Sequence, residues 1–199
     1  MSTVILVRHG QSITNVRHMM SSDTEDNPLT DLGTSEAATT AKELSRARGI
    51  SAIFTSTVMR ARQTAAIIAK ELHLESQVDD RLRERGVGEF NNREFESSEA
   101  IDKIHVAEAR SGYPHGVESW EHIKNRLQSF FQDAPAGRLI AVTHRDPIAA
   151  GLAVMGGKYD DDISFRHILK IPHASMTVVD TDKKKILAIG TSKLPAELG

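Results

Sequence analysis

Thr3-Val4-Ile5-Leu6-Val7 runs straight into Arg8-His9-Gly10, so a short β-branched and apolar stretch ends abruptly in a cation, an imidazole and a glycine. A run of that length and composition reads as a buried strand. The same shape returns twice. Ile50 to Phe54 is followed by Thr55-Ser56-Thr57 and a helical pattern carrying Arg60, Arg62, Ala65, Ile68 and Leu72. Arg138 to Val142 is followed by Thr143-His144-Arg145-Asp146 and a helix opened by Pro147, since proline suits the first helical turn. Strands that alternate with helices at this spacing indicate βαβ units, and hence a three-layer α/β/α sandwich with a mainly parallel central sheet. Sheets of this kind bind ligands outside the carboxyl ends of their strands, where all three polar turns are expected.

Between these units, Asn27-Pro28-Leu29-Thr30 reads as a turn into a helix, with Thr30 or Asp31 as cap and Glu36, Ala37, Ala41 and Leu44 in the body. Residues 18–28 read as a loop. The charged, aperiodic stretch from Arg83 to Glu99 is expected to be irregular and to lie over the mouth of the sheet. A helix over Glu118 to Phe131, a strand over Met176 to Asp180 and a closing strand and coil after Ile186 complete the layers. With no repeat or linker, residues 1–199 are expected to form a single domain carrying a cap-like insertion at about 83–117.

The composition narrows the function classes. An apolar share of 39% with 26% charged residues is that of a globular chain, and no stretch is apolar for the roughly 18 residues a membrane span requires. The first residues lack the pattern of a signal peptide, and cysteine is absent, which excludes disulfides, thiolate metal sites and a cysteine nucleophile. A reducing compartment, the cytoplasm, is expected. Lys and Arg number 25 against 27 Asp and Glu, a net charge of −2, so there is no broad basic field for nucleic acid and any anion site must be local. The expected partner is a small phosphorylated substrate, with no nucleic acid and no membrane; nothing in the sequence sets an oligomeric state.

Leu6-Val7-Arg8-His9-Gly10-Gln11-Ser12-Ile13-Thr14-Asn15 resembles the signature of the histidine phosphatases, commonly written Arg-His-Gly-x-Thr-x-x-Asn, with Ser12 in the threonine position. Further blocks follow in that family's order: Pro28 to Ala37, Thr55 to Ala65, Leu82-Arg83-Glu84 with Gly88, Gly116-Val117-Glu118-Ser119, and Val142-Thr143-His144. Together they resemble the phosphoglycerate-mutase-like group, branch 1 of the superfamily. The resemblance implies transient phosphorylation of His9, an acid role for Glu84 in preference to Glu89, and chemistry with no cofactor and no metal.

The residues suit that chemistry on their own terms. A phosphate needs fixed donors around its oxygens, and Arg8 and Arg60, each at or just beyond a strand's carboxyl end, supply guanidinium forks. The helix amino end after Ser56 adds N–H donors. A histidine must be neutral to attack phosphorus, and neighbouring cations push His9 below its ordinary value of about 6.5. His144 would donate to the equatorial oxygens, where charge stabilisation is the main catalytic contribution. Glu84 would protonate the leaving group and then take a proton from water.

Ser12 and Asn15 are assigned to the phosphate loop, touching ligand or holding the loop in place. Arg145, where the family usually has glycine, either adds a cation over the phosphate or pairs with Asp146. Arg62 is expected to face solvent or a carboxylate. The remaining histidines, His18, His73, His105, His115, His122, His167 and His173, are assigned to surface or core.

Leu82-Arg83-Glu84-Arg85-Gly86-Val87-Gly88-Glu89 departs from the mutases' Leu-Asn-Glu-Arg-x-Tyr-Gly block, and the chain is short, so a phosphatase is preferred over phosphoglycerate-mutase-type transfer. A non-catalytic phosphate-binding scaffold and a metallohydrolase are the readings from other classes; the second lacks a third ligand at a recognisable spacing. Phe95 and Tyr113 with Arg93, Lys103 and Arg110 in the insertion suit a small polar or sugar-like phosphate.

Overall fold

The computed structural model describes residues 2–22, 27–156 and 169–199. Its strands are β1 (Ser2–Arg8), β2 (Met19–Met20), β3 (Ile50–Thr55), β4 (Ser76–Val78), β5 (Arg93–Glu94), β6 (Gly137–Thr143), β7 (Met176–Asp180) and β8 (Lys185–Thr191). Its α-helices are α1 (Ile13–Val16), α2 (Asp31–Leu44), α3 (Met59–Leu72), α4 (Ser98–Arg110), α5 (Trp120–Asp133) and α6 (Arg145–Met155). Six strands form one sheet in the order β4-β3-β6-β1-β7-β8. The first four run parallel; β7 is antiparallel to β1, and β8 to β7.

The strands read as unbroken apolar runs because both faces of the sheet are covered. Val4 and Leu6 of β1, with Leu139 and Ala141 of β6, point to one side and pack with Ile123, Leu127 and Phe130 of α5 and Ile148 and Leu152 of α6. The alternate residues Ile5, Val7, Ile140 and Val142 meet Ala41 and Leu44 of α2 and Ala61, Ala65 and Ile68 of α3. This is the expected three-layer α/β architecture. Thr30 caps α2 by accepting from Gly33 N–H at 3.0 Å, and Ser119 caps α5 by accepting from His122 N–H at 3.1 Å, so that α5 starts two residues past where the periodicity suggested.

Two segments differ from expectation. Within the stretch read as a loop, Met19–Met20 pairs with Arg93–Glu94 in a separate two-stranded ladder; residues 23–26 lie outside the described residues. The stretch from Arg83 onward does contain turns and a short 3-10 helix at Gly88–Phe90, but it leads into α4, which hydrophobic periodicity did not reveal. The reason is chemical: the buried positions of α4 are Asp102, His105 and Glu108, spaced as a helical stripe but occupied by polar residues.

Register brings the three polar turns level. Arg8 pairs with Thr143 across β1 and β6, and Thr55 with Val142 across β3 and β6, so residues 8–9, 56 and 144 emerge along one edge. The loop after β1 is then clamped against the start of α2 and against α3. Gly10 N–H donates to Thr64 Oγ1 (3.1 Å), Gln11 N–H to Glu36 Oε2 (2.8 Å), and Thr30 N–H to the Gln11 carbonyl (3.0 Å). A Cβ at Gly33 would overlap the Gln11 carbonyl oxygen, and one at Gly10 the Gly33 carbonyl oxygen, so these two backbones touch only because both residues are glycine. Gly33→Ala is therefore expected to lower stability by about 1–3 kcal/mol, as overpacking does, measured by urea denaturation against the parent protein.

Candidate active site

Arg8 closes β1, and its guanidinium donates to the Ile171 carbonyl (2.7 Å) and to His173 Nε2 (3.0 Å). His9 follows, its backbone N–H on the Thr143 carbonyl (3.0 Å) and its carbonyl on Ala174 N–H (3.1 Å), which fixes the residue between β6 and the approach to β7. The ring is 2% exposed by residue. His9 Nδ1 lies 2.7 Å from the Gly10 carbonyl, an acceptor only, so Nδ1 carries the hydrogen and Nε2 the lone pair. Arg60, in the first turn of α3, donates Nε–H to that Nε2 at 3.0 Å and Nη2–H to the Ser21 carbonyl at 3.1 Å.

Electrostatics agree with this tautomer. Burial, then the charges of Arg60, His144 and Arg8, hold His9 well below its ordinary value, so it is neutral at physiological pH. Burial lowers Arg60 to about 10, opposed by the charge of Glu84, which leaves it a cation at neutral pH.

His144 stands at the amino end of α6 with its ring centroid 5.0 Å from that of His9. Its Nε2 is 2.8 Å from Ser56 Oγ, an oxygen that already accepts from Val58 N–H at 3.2 Å. The other ring nitrogen, Nδ1, lies 3.9 Å from Glu84 Oε2. Burial, then Arg60, Arg126 and Arg8, keep this imidazole neutral too. Glu84 is held by its own neighbour, Arg85 N–H, at 2.9 Å from Oε1, while Thr143 Oγ1 donates to the Leu82 carbonyl at 2.6 Å and ties this turn to the end of β6.

Arg8, His9, Arg60 and Glu84 line one cavity of about 110 Å³, several times the roughly 30 Å³ of a liquid water, with His144 directly behind them. Two buried nitrogens at this end of the site, Arg60 Nη1 and His144 Nδ1, have no hydrogen-bond partner among the described residues. Asn15 lines the cavity, whereas Ser12 is fully buried and does not. Its Oγ and N–H both donate to Asn15 Oδ1 (2.9 and 3.0 Å), so the pair forms a reciprocal cap on α1. Arg145 lines the cavity and pairs with Asp102 of α4 at 3.1 Å, a partner outside both readings offered by the sequence.

Several residues at the cavity carried no motif. His173, assigned to surface or core, lies 6.1 Å from His9 between ring centroids and accepts from Arg8; burial, then Arg8, lowers it to about 3, so it stays a neutral acceptor. His173 does not line the cavity itself, whereas His105, Arg85, Asp102 and Asp146 do. Arg85, with no exposed surface, donates to His105 Nδ1 (2.7 Å) and the Glu118 carbonyl (2.7 Å) and lies 4.0 Å from Asp146 Oδ2. His115 and His122 pair with glutamates away from the cavity, His73 ends α3, and His18 sits in a turn near Ser98. Arg62 is exposed, as expected; His167 lies outside the described residues. Among the described residues, no helix is long and apolar enough to cross a membrane.

Comparison with known proteins supplies the family. The chain is 30% identical over 191 residues to a 2,3-bisphosphoglycerate-dependent phosphoglycerate mutase of Thermoplasma acidophilum, covering 96% of this chain and 92% of that one. It is 27% identical over 162 residues to the fructose-2,6-bisphosphatase TIGAR of Xenopus tropicalis, covering 79% of this chain and 58% of that longer protein. Among solved structures, a mycobacterial glucosyl-3-phosphoglycerate phosphatase complexed with VO3 superposes with a TM-score of 0.71 at 25% identity, over 90% of this chain and 93% of that one. The fold is shared with Bacillus stearothermophilus YhfR at a TM-score of 0.78 and 24% identity, over 98% of each chain. Residues 4–190 match the family model of the histidine phosphatase superfamily, branch 1, and the chain belongs to that superfamily of phosphatases and mutases.

Proposed function

We propose that this protein is a cytoplasmic, metal-independent phosphomonoesterase acting through a phosphohistidine on His9, with residues 83–117 as its cap. The observation that carries the proposal is the pair of buried nitrogens without a hydrogen-bond partner among the described residues, Arg60 Nη1 and His144 Nδ1, beside a neutral His9 whose Nε2 accepts from Arg60. Buried donors are expensive to leave unmet, and a tetrahedral oxyanion meets them.

In the first transfer, Arg8, Arg60 and His144 hold the phosphoryl oxygens, with Asn15, Ser12 and Arg145 at the loop and rim. Arg60 Nε exchanges its bond to His9 Nε2 for one to the phosphate. Nε2 attacks phosphorus, the N–P bond forms as the P–O bond to the leaving group breaks, and Glu84 gives that oxygen its proton. In the second, Glu84 takes a proton from water, the water oxygen attacks phosphorus, the N–P bond breaks, and inorganic phosphate leaves with His9 restored. The developing charge meets fixed donors in a dry site, where they act most strongly.

A mutase reading is favoured by one observation, the name of the 30% identical Thermoplasma relative. It requires that phosphohistidine pass its group to a phosphoglycerate rather than to water. Conversion of 3-phosphoglycerate into 2-phosphoglycerate faster than release of inorganic phosphate would establish it.

His9→Ala is expected to keep the fold by circular dichroism and to lose p-nitrophenyl phosphate turnover by at least about three orders of magnitude; undiminished turnover would end the proposal. Glu84→Gln should slow alkyl phosphates by about 10²–10⁴-fold and p-nitrophenyl phosphate far less, because a good leaving group needs little protonation. An equal loss on both would remove Glu84 as the acid. Because the attacking form is deprotonated, and His9 is held below 6.5 by burial and cations, its ring resonances should stay flat in an NMR titration from pH 8 to 6. Arg60→Gln should move that titration upward, toward 6.5.

A further inference from the structure

The segment behind Arg8 comes from the far end of the chain. After the buried Ile171, Pro172-His173-Ala174-Ser175 turns into β7, and this turn is tied to the Arg8-His9 step by backbone and side chain alike. Arg8 N–H donates to the Ser175 carbonyl (3.1 Å) and Ala174 N–H to the His9 carbonyl (3.1 Å). The Arg8 side chain donates Nη1–H to the Ile171 carbonyl (2.7 Å) and Nη2–H to His173 Nε2 (3.0 Å). Ala174 holds φ at 52°, a left-handed conformation that persists in a residue with a Cβ only where the surroundings impose it. Thr40 Oγ1 of α2 adds to that constraint by donating to the Ala174 carbonyl at 2.7 Å. The backbone carrying His173 is thus anchored on both β1 and α2.

Both terminal nitrogens of Arg8 rest on acceptors in this segment, which sets the plane and direction of a guanidinium that lines the cavity. A guanidinium has donors only, so His173 Nε2 presents a lone pair and the ring hydrogen is on Nδ1. What separates His173 from the usual partner of an arginine is charge. A carboxylate in its place would hold Arg8 equally well and would repel an incoming phosphate. A neutral imidazole orients the cation and subtracts nothing from its charge. Burial, then the charge of Arg8, lower His173 to about 3, so it keeps this form around neutral pH. The ring does not line the cavity, so its influence on a bound anion passes through Arg8.

We propose that His173 is a positioning residue for phosphate binding, which aims the Arg8 guanidinium at the phosphoryl group through an acceptor that carries no charge. The proposal rests on the phosphomonoesterase reading, in which Arg8 holds that group, and adds to it a residue that touches neither substrate nor reacting atoms.

His173→Gln and His173→Glu test it, since the two new side chains share a shape and an oxygen acceptor with reach close to that of Nε2, and differ in charge. The measured quantity is affinity for inorganic phosphate, read by calorimetry and as competitive inhibition of p-nitrophenyl phosphate hydrolysis. It should stay within about threefold of the parent in His173→Gln and fall by about 30-fold or more in His173→Glu. His173→Leu, which fills the space without an acceptor, should lose about tenfold, and set against His173→Gln it carries the test should His173→Glu not fold. A role in shaping the turn alone would lower the melting temperature of all three variants and leave their phosphate affinities equal. Equal affinities in the folded variants, or a loss in His173→Gln as large as in His173→Glu, overturns the inference, while turnover of p-nitrophenyl phosphate by the parent still upholds the phosphomonoesterase. A parent that neither hydrolyses this ester nor binds phosphate removes both together.

Discussion

A guanidinium and an imidazole, both desolvated, share a hydrogen bond at the carboxyl edge of the sheet, and most of the structure can be understood as what is needed to hold them there. Arg60 cannot lose its charge at neutral pH, and His9 cannot gain one beside it. Their geometry is set by three strand ends that the parallel register makes level, and by helices packed on both faces that leave the backbone at those ends no freedom to retreat. The result is a small region where donors outnumber acceptors inside a protein that is slightly anionic as a whole. Local charge is thereby decoupled from net charge, and the total composition says nothing about this donor-rich region.

Much of this was legible in the chain. Doubly covered strands need continuous apolar runs, and Thr3 to Val7 and Arg138 to Val142 show them; the polar residues that end those runs had to fall at the binding edge of an α/β sheet. The resemblance to the histidine phosphatases then marked Glu84, which spacing alone could not separate from Glu89. What stayed hidden has physical causes. His173 approaches the site from the turn before β7, through a backbone contact with His9 that no local pattern announces. The helix α4 escaped because its inward stripe is Asp102, His105 and Glu108, so its amphipathicity has the opposite sense from the one that periodicity detects. Ser12 offered a hydroxyl in the right place, yet that hydroxyl serves Asn15 and Thr14.

These hidden features share a theme. Where the sheet and its helices meet one another, apolar volume decides the fit, and sequence patterns report it well. Where the segment from 83 to 117 meets the sheet's edge, buried polar groups decide it: Arg85 binds His105 and the Glu118 carbonyl, Arg126 binds Glu118 and the Arg81 carbonyl, and Glu108 binds His115. Such a network has stringent geometry, because every buried polar atom must find a partner, and it gives this region a unique arrangement without a large apolar core of its own.

The short ladder between Met19–Met20 and Arg93–Glu94 has a mechanical meaning. Ser21, next along that chain, is the carbonyl that steadies Arg60, while Ser22 N–H donates to Asn91 Oδ1 at 3.1 Å and Asn92 N–H to the Met20 carbonyl at 2.8 Å. The brace behind the Arg60 guanidinium is therefore riveted to the segment that leads into α4. Segment and guanidinium form a single linkage, and neither can swing outward without tugging on the other.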